Sequence, residues 1–263
     1  MIISEDYTDL NTPTGLMRTH LFKPVAKGVY PGVVLFSEIY QMTGPIARAA
    51  RKIACEGYIV AVPEVYHEFE PLGTALAYDA EGTDKGNQYK IDKPIQAFDD
   101  DAKAVLAHLL GLDDCNGALG TMGICLGGHL SFRAAMNPSV SACVCLYPTD
   151  IHTSTLGQNK NDNSLQRMPD INAELLMVWG RQDPHVPQDG RKKIYDALVK
   201  HERLFNWHEM NAQHAFTRDE GHRYDSALTD LSYLMVFELF KRRLLLREPL
   251  GLTENPGPNL SRC

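Results

Sequence analysis

Short apolar runs of strand length alternate along most of the chain with stretches whose apolar residues recur every three or four positions. That alternation predicts an α/β fold: a mainly parallel central sheet with helices on both faces. "DYTDL" and "GLMRTHLF" predict an opening hairpin turned through "NTPT", and "GVVLF" at 32–36 predicts the first strand buried on both faces. Thr43 and Pro45 then predict a helix near 44–55 that ends at Gly57, with the threonine oxygen accepting an orphan amide hydrogen bond. "YIVAVPEV" is the next strand. Residues 66–93 carry little periodicity and much Gly, Asp and Tyr, and read as a long insertion over one face.

Asp99, Asp100 and Asp101 are expected to begin the following helix, which runs to about Leu110, as carboxylates that complement its dipole rather than as metal ligands. "GALGTM" predicts a strand and "LGGHLSFRAAM" the helix after it, stopped by Asn137 and Pro138. Three more strands follow, "ACVCLYP", "AELLMVWG" and "LFNWHEM", with a polar segment at 151–172 and a helix near 188–200 between them. A last helix is expected from about Tyr224 to Leu246. The pattern implies a single domain over 1–246, followed by a Pro- and Gly-rich tail at 247–263 that should fray.

Composition narrows the function classes. With 263 residues, 44% hydrophobic and 22% charged, the chain can bury a large core without the help of a metal or disulfide. Its formal net charge of −7 and the lack of a basic cluster argue against a nucleic-acid partner. The longest apolar runs are strand-sized and the N-terminal segment lacks a signal pattern, so neither a membrane span nor export is expected. Six thinly spread cysteines suit a reducing compartment, and the expected location is the cytoplasm.

The candidate chemistry lies in "GTMGICLGGHL". Gly123-Ile124-Cys125-Leu126-Gly127 has the spacing of a nucleophile elbow, and it falls between a predicted strand and a predicted helix. The central residue of such a turn is strained, so the positions two before and two after it must lack side chains. The helix start just beyond favours a thiolate, and the Leu126 N–H is the expected oxyanion donor.

An elbow requires the order nucleophile, acid, histidine, which leaves His185, His201, His208, His214 and His222 as bases. His214, in the loop "NAQHAF", is best placed to reach the top of the sheet. Asp183 in "GRQDPHVP" follows a buried strand at its carboxyl end and is the leading acid, with Asp150 after "CVCLYP" as the alternative. His129 is expected to pack beside the elbow on an amphipathic helix, with contact to the thiol the minor alternative. No Cys or His spacing suggests zinc.

From about residue 14 to 245 the sequence resembles the dienelactone hydrolase family of α/β-hydrolases, through "LFSEIYQ", "GICLGG", "GRQDPHVP" and "AQHAFTR". The resemblance implies Cys125, Asp183 and His214 as a triad, Glu38 as an acidic residue that contacts the thiol when substrate enters, and the Ile39 N–H as the second oxyanion donor. It implies Arg218 as a binder of substrate carboxylate, with Lys85 and Tyr89 as loose equivalents of an arginine and a tyrosine in the insertion. The expectation is a single-domain α/β-hydrolase, monomeric or weakly dimeric, that cleaves a small ester or lactone through a thioester and uses no cofactor or metal. A non-catalytic binding protein of the same fold and a redox-sensing thiol protein are the alternatives.

Overall fold

The structure is a computed structural model that describes residues 1–247. Beyond Arg247, the tail expected to fray lies outside the described residues. Eight strands form one sheet in the order β1-β2-β4-β3-β5-β6-β7-β8. β1 (Ile3–Thr12) and β2 (Gly15–Pro24) are antiparallel, joined by a two-residue turn at Pro13 and Thr14, and β2 is antiparallel to β4 (Ile59–Pro63). From β4 onward, β3 (Tyr30–Phe36), β5 (Cys115–Ile124), β6 (Val140–Leu146), β7 (Glu174–Gly180) and β8 (Phe205–Met210) are all parallel. An early hairpin followed by a parallel core is the order that the apolar runs predict.

Successive side chains on a strand point to opposite faces, so each buried strand feeds two cores. Val34 and Phe36 of β3, Cys143 and Cys145 of β6, and Met177 and Trp179 of β7 pack on one side. That side is covered by α3 (Ile95–Leu110), α4 (Leu126–Ala134) and α5 (Gln188–Lys200). Val33 and Leu35, Val144, and Val178 face the other side, under α1 (Gly44–Cys55) and α6 (Ser226–Phe240). The chain steps from β3 to β4 on one side and then to β5 on the other side of β3. The loops after β3 and β5 therefore separate at the carboxyl edge, where α/β sheets open a crevice.

Several local expectations are corrected. The 66–93 insertion contains a helix, α2 (Ala80–Asp92), started by Asp79, whose side chain accepts from the Gly82 N–H. Gly82 and Gly86 are its only buried residues, so it has no apolar stripe for periodicity to detect. Thr43 gives α1 no side-chain cap; its hydroxyl instead meets the Tyr78 hydroxyl at 2.7 Å. α4 is buried on every side rather than amphipathic. The last helix begins at Ser226, capped by Asp225, and its final turn at Lys241–Leu245 widens into a π-helix.

α3 starts at Ile95, directly after Pro94, which places the Asp99–Asp101 run in its second turn, away from the amide dipoles at its start. These carboxylates serve as ion-pair partners. Asp99 takes Arg133 Nη2 at 2.8 Å, and fully buried Asp101 takes Lys93 Nζ at 2.6 Å. Lys93 is itself fully buried and also donates to Glu68 at 2.7 Å and to the Val65 carbonyl at 2.8 Å. His67, Glu68 and Asp101 bring ligand atoms within 4.8 Å of one another, as a small cation site would, but the Lys93 ammonium already stands among them.

Removing that ammonium would leave two carboxylates without their cation in a dry site. Lys93→Met is therefore expected to destabilise the protein by about 3–5 kcal/mol, read from chemical denaturation. A loss below about 1 kcal/mol would show that the network is not a stabilising tie. Among the described residues no helix is long and apolar enough to cross a membrane.

Candidate active site

Cys125 sits at the end of β5, at φ 62° and ψ −121°, outside the regions that a side chain ordinarily tolerates. The glycines around it are obligatory. A Cβ on Gly123 would lie 1.8 Å from the Gly127 carbonyl oxygen, and one on Gly127 would lie 2.1 Å from the Phe36 carbonyl oxygen. With both positions bare, α4 can start immediately after Cys125 while β3 passes close beside it. The cysteine is partly exposed and lines a cavity of about 370 Å³ at the carboxyl edge of the sheet.

The loop after β7 brings Asp183 and the loop after β8 brings His214 to the same edge. The Nδ1–H of His214 donates to Asp183 Oδ2 at 2.6 Å, and the second Asp183 oxygen accepts the His185 N–H at 2.8 Å. Because the carboxylate can only accept, Nδ1 carries the proton and Nε2 is left for the sulfur. Burial pushes His214 down, but the Cys125 thiolate charge, the Asp183 hydrogen bond and a hydrogen bond to Cys125 reverse the sign and raise it to about 10. Burial would likewise raise Asp183; the His214 bond and charge outweigh it and hold the carboxyl below its ordinary value. Tyr147 packs edge-on against the imidazole at 5.0 Å, which limits its rotation.

The backbone amides of Leu126, the first residue of α4, and of Ile39, after β3, donate to no acceptor among the described residues. Glu38 is buried beside them. Its carboxyl is raised by burial, against the opposing charges of Arg218 and His214 and a 3.1 Å hydrogen bond donated by Tyr78. Its other oxygen lies 3.8 Å from Arg218. The two oxygens are thus turned to Tyr78 and Arg218, and no hydrogen bond joins Glu38 to Cys125 among the described residues. Arg218 lies over the Tyr78 ring at 4.5 Å and lines the cavity together with Arg223.

Asp150, the alternative acid, is not joined to His214. It holds Lys90 through both oxygens, at 3.1 and 3.0 Å, and also accepts from the Thr149 and Thr155 hydroxyls. His129 is fully buried and pairs with the Ser164 hydroxyl at 2.7 Å; burial lowers it to about 4, so at neutral pH it is an uncharged packing residue beside the elbow.

Two substrate-contact expectations do not reach the cavity. Lys85 pairs with Glu81 on the surface, and Tyr89 stacks on Phe69 with its hydroxyl on Glu70. The helical spacing of α2 explains both. Thr83, Asn87 and Lys90 stand at i, i+4 and i+7 on the face that lines the cavity, which turns positions 85 and 89 elsewhere. The Asp79 cap, with glycine at the third helical position, was the one sequence signal that could have revealed this. A smaller cavity of about 110 Å³ behind Glu38 and Arg218, between α1 and α6, contains neither Cys125 nor His214.

A family model described as "Dienelactone hydrolase family" matches residues 17–244. The chain belongs to the dienelactone hydrolase family. It is 43% identical over 257 residues to a putative carboxymethylenebutenolidase of Saccharomyces cerevisiae, covering 93% of each chain. It is 26% identical to the carboxymethylenebutenolidase of Pseudomonas putida, over 79% of this chain and 84% of that one. A crystal structure of a putative dienelactone hydrolase from Klebsiella pneumoniae, 23% identical, superposes with a TM-score of 0.81 over 92% of this chain and 100% of that chain, a likeness of the α/β-hydrolase fold. As a dienelactone hydrolase family member, the protein is a hydrolase of ester or lactone bonds, which answers the non-catalytic alternative.

Proposed function

We propose that the protein cleaves a small ester or lactone through a thioester on Cys125, with His214 and Asp183 completing the triad. The observation that carries this reading is the His214 imidazole, hydrogen-bonded to Asp183 through Nδ1 and lining the same cavity as the strained cysteine. The thiolate attacks the carbonyl carbon, and the N–H groups of Ile39 and Leu126 receive the oxyanion. Collapse of the tetrahedral adduct breaks the ester C–O bond. The imidazolium gives its proton to the leaving oxygen, then as a neutral imidazole takes one from the water that releases the acid.

Arg218 and Arg223 favour a substrate with an anionic group beside the reacting carbonyl. Such a group would compete with Glu38 for Arg218. The chain is expected to work in a reducing compartment as a monomer or weak homodimer; the five cysteines among the described residues are free thiols. Mass spectrometry after rapid mixing with an aryl ester should find the acyl group on the peptide that contains Cys125. Acylation elsewhere would overturn the proposal.

The charge balance also predicts different pH behaviour for the two half-reactions. In the resting site the thiolate raises His214 to about 10, so the proton needed by the leaving group is lost only as pH rises through that value. Acylation neutralises the sulfur and removes the largest raising influence, while burial continues to push His214 down. Deacylation is therefore expected to rise with pH through a lower midpoint, as neutral imidazole forms. Burst kinetics with an aryl ester separate the phases, and a shared midpoint would contradict this account.

A further inference from the structure

We propose that the 66–93 insertion positions the oxyanion hole, with Gly86 as the positioning residue that sets the Ile39 peptide. The proposal rests on the reading of Ile39 N–H as an oxyanion donor. The loop after β3 does not hold its shape through regular structure. Gln41 sits at φ 63°, a left-handed conformation that a glutamine rarely adopts, and so needs outside support. The insertion supplies that support residue by residue.

Tyr40 shares a 2.8 Å hydrogen bond with Thr83, and its carbonyl accepts the Leu76 N–H at 3.0 Å. The Gln41 side chain is held at both ends, donating to the Thr74 carbonyl at 2.9 Å and accepting the Tyr66 N–H at 3.0 Å. The Thr43 hydroxyl meets Tyr78. At Ile39 the contact is backbone against backbone: a Cβ on Gly86 would lie 2.4 Å from the Ile39 carbonyl oxygen and 2.9 Å from the Ile39 Cβ. Gly86 is itself pinned, its carbonyl accepting the hydroxyl of fully buried Tyr66 at 2.9 Å.

The direction of the donor follows from its own peptide. The Glu38 carbonyl accepts the Ser37 hydroxyl at 3.1 Å and the Gln41 N–H at 3.4 Å. In a trans peptide the N–H on the other side of that bond, that of Ile39, must point the opposite way. Any side chain at position 86 would push Ile39 and rotate this group. Alanine is a better helix former than glycine, so local propensity favours the substitution, and a loss can only come from the contact.

Gly86→Ala is expected to lower kcat for an aryl ester by roughly 10-fold or more with little change in KM, a part of the loss seen when an oxyanion donor is removed outright. Alkylation of Cys125 by iodoacetamide forms no oxyanion and should keep its rate. Gly82→Ala crowds the Ala77 carbonyl at the start of the same helix without touching Ile39, and controls for general damage to α2. The proposal fails if Gly86→Ala leaves kcat within about twofold, if ester turnover and alkylation fall together, or if Gly82→Ala gives the same selective loss. A Cys125→Ala protein tested alongside separates the two failures: if it still hydrolyses ester, the thiol reading itself is wrong, whatever Gly86 does.

Discussion

Cys125→Ala is expected to reduce kcat/KM by roughly 10⁴-fold or more on every ester and lactone the protein cleaves, with no loss of fold. The size of the effect follows from what the sulfur does. In the proposed mechanism it is the atom that bonds to carbon, and its charge is what raises His214. The substitution keeps the Cβ and the strained turn, so the glycine contacts at 123 and 127 are untouched and unfolding curves should overlay those of the wild type. Cys125→Ser puts an oxygen in place of the sulfur, a weaker nucleophile, so turnover should remain far below wild type. The measurement is a panel of lactones, aryl esters and thioesters run with all three proteins. Undiminished hydrolysis by the alanine variant would remove Cys125 from the mechanism.

The parts of the molecule that were legible in the sequence are those where backbone geometry dictates residue type. Buried parallel strands need continuous apolar runs, and β3, β5, β6 and β7 stand where "GVVLF", "GALGTM", "ACVCLYP" and "AELLMVWG" place them. The elbow needs bare positions two residues to either side of its centre, and Gly123 and Gly127 provide them. Chain order then brought Asp183 and His214 forward, and the structure pairs these two with each other, with His214 lining the same cavity as Cys125.

The insertion was opaque for the opposite reason. α2 packs through two glycines and the hydroxyls of neighbouring residues rather than through an apolar stripe, so it gives no 3.6-residue signal. The cavity's Lys90 was therefore missed in favour of Lys85. The acidic run at 99–101 misled in a related way. Sequence shows the charges but not their partners, and Lys93 and Arg133 become partners only when α2, α3 and α4 pack together.

His214→Gln should match the Cys125 variant in its loss of turnover, roughly 10⁴-fold, but the two can be told apart by the reactivity of the thiol. In the wild type the His214 imidazole lines the cavity beside the sulfur, and alkylation by iodoacetamide reads what that ring does for the sulfur's reactivity. Without the imidazole no base stands beside the thiol, and alkylation should slow near pH 7. Raising the pH lets solvent remove the thiol proton, so alkylation should recover. Ester hydrolysis should not recover with it, because the variant also lacks the acid for the leaving group and the base for water. Asp183→Asn gives an intermediate case: the ring remains, but the charge that fixes its tautomer is gone, so turnover should fall further than alkylation. If high pH restored hydrolysis and alkylation equally in His214→Gln, the histidine would serve only to ionise the sulfur, and proton transfer in both half-reactions would have to be assigned to another group.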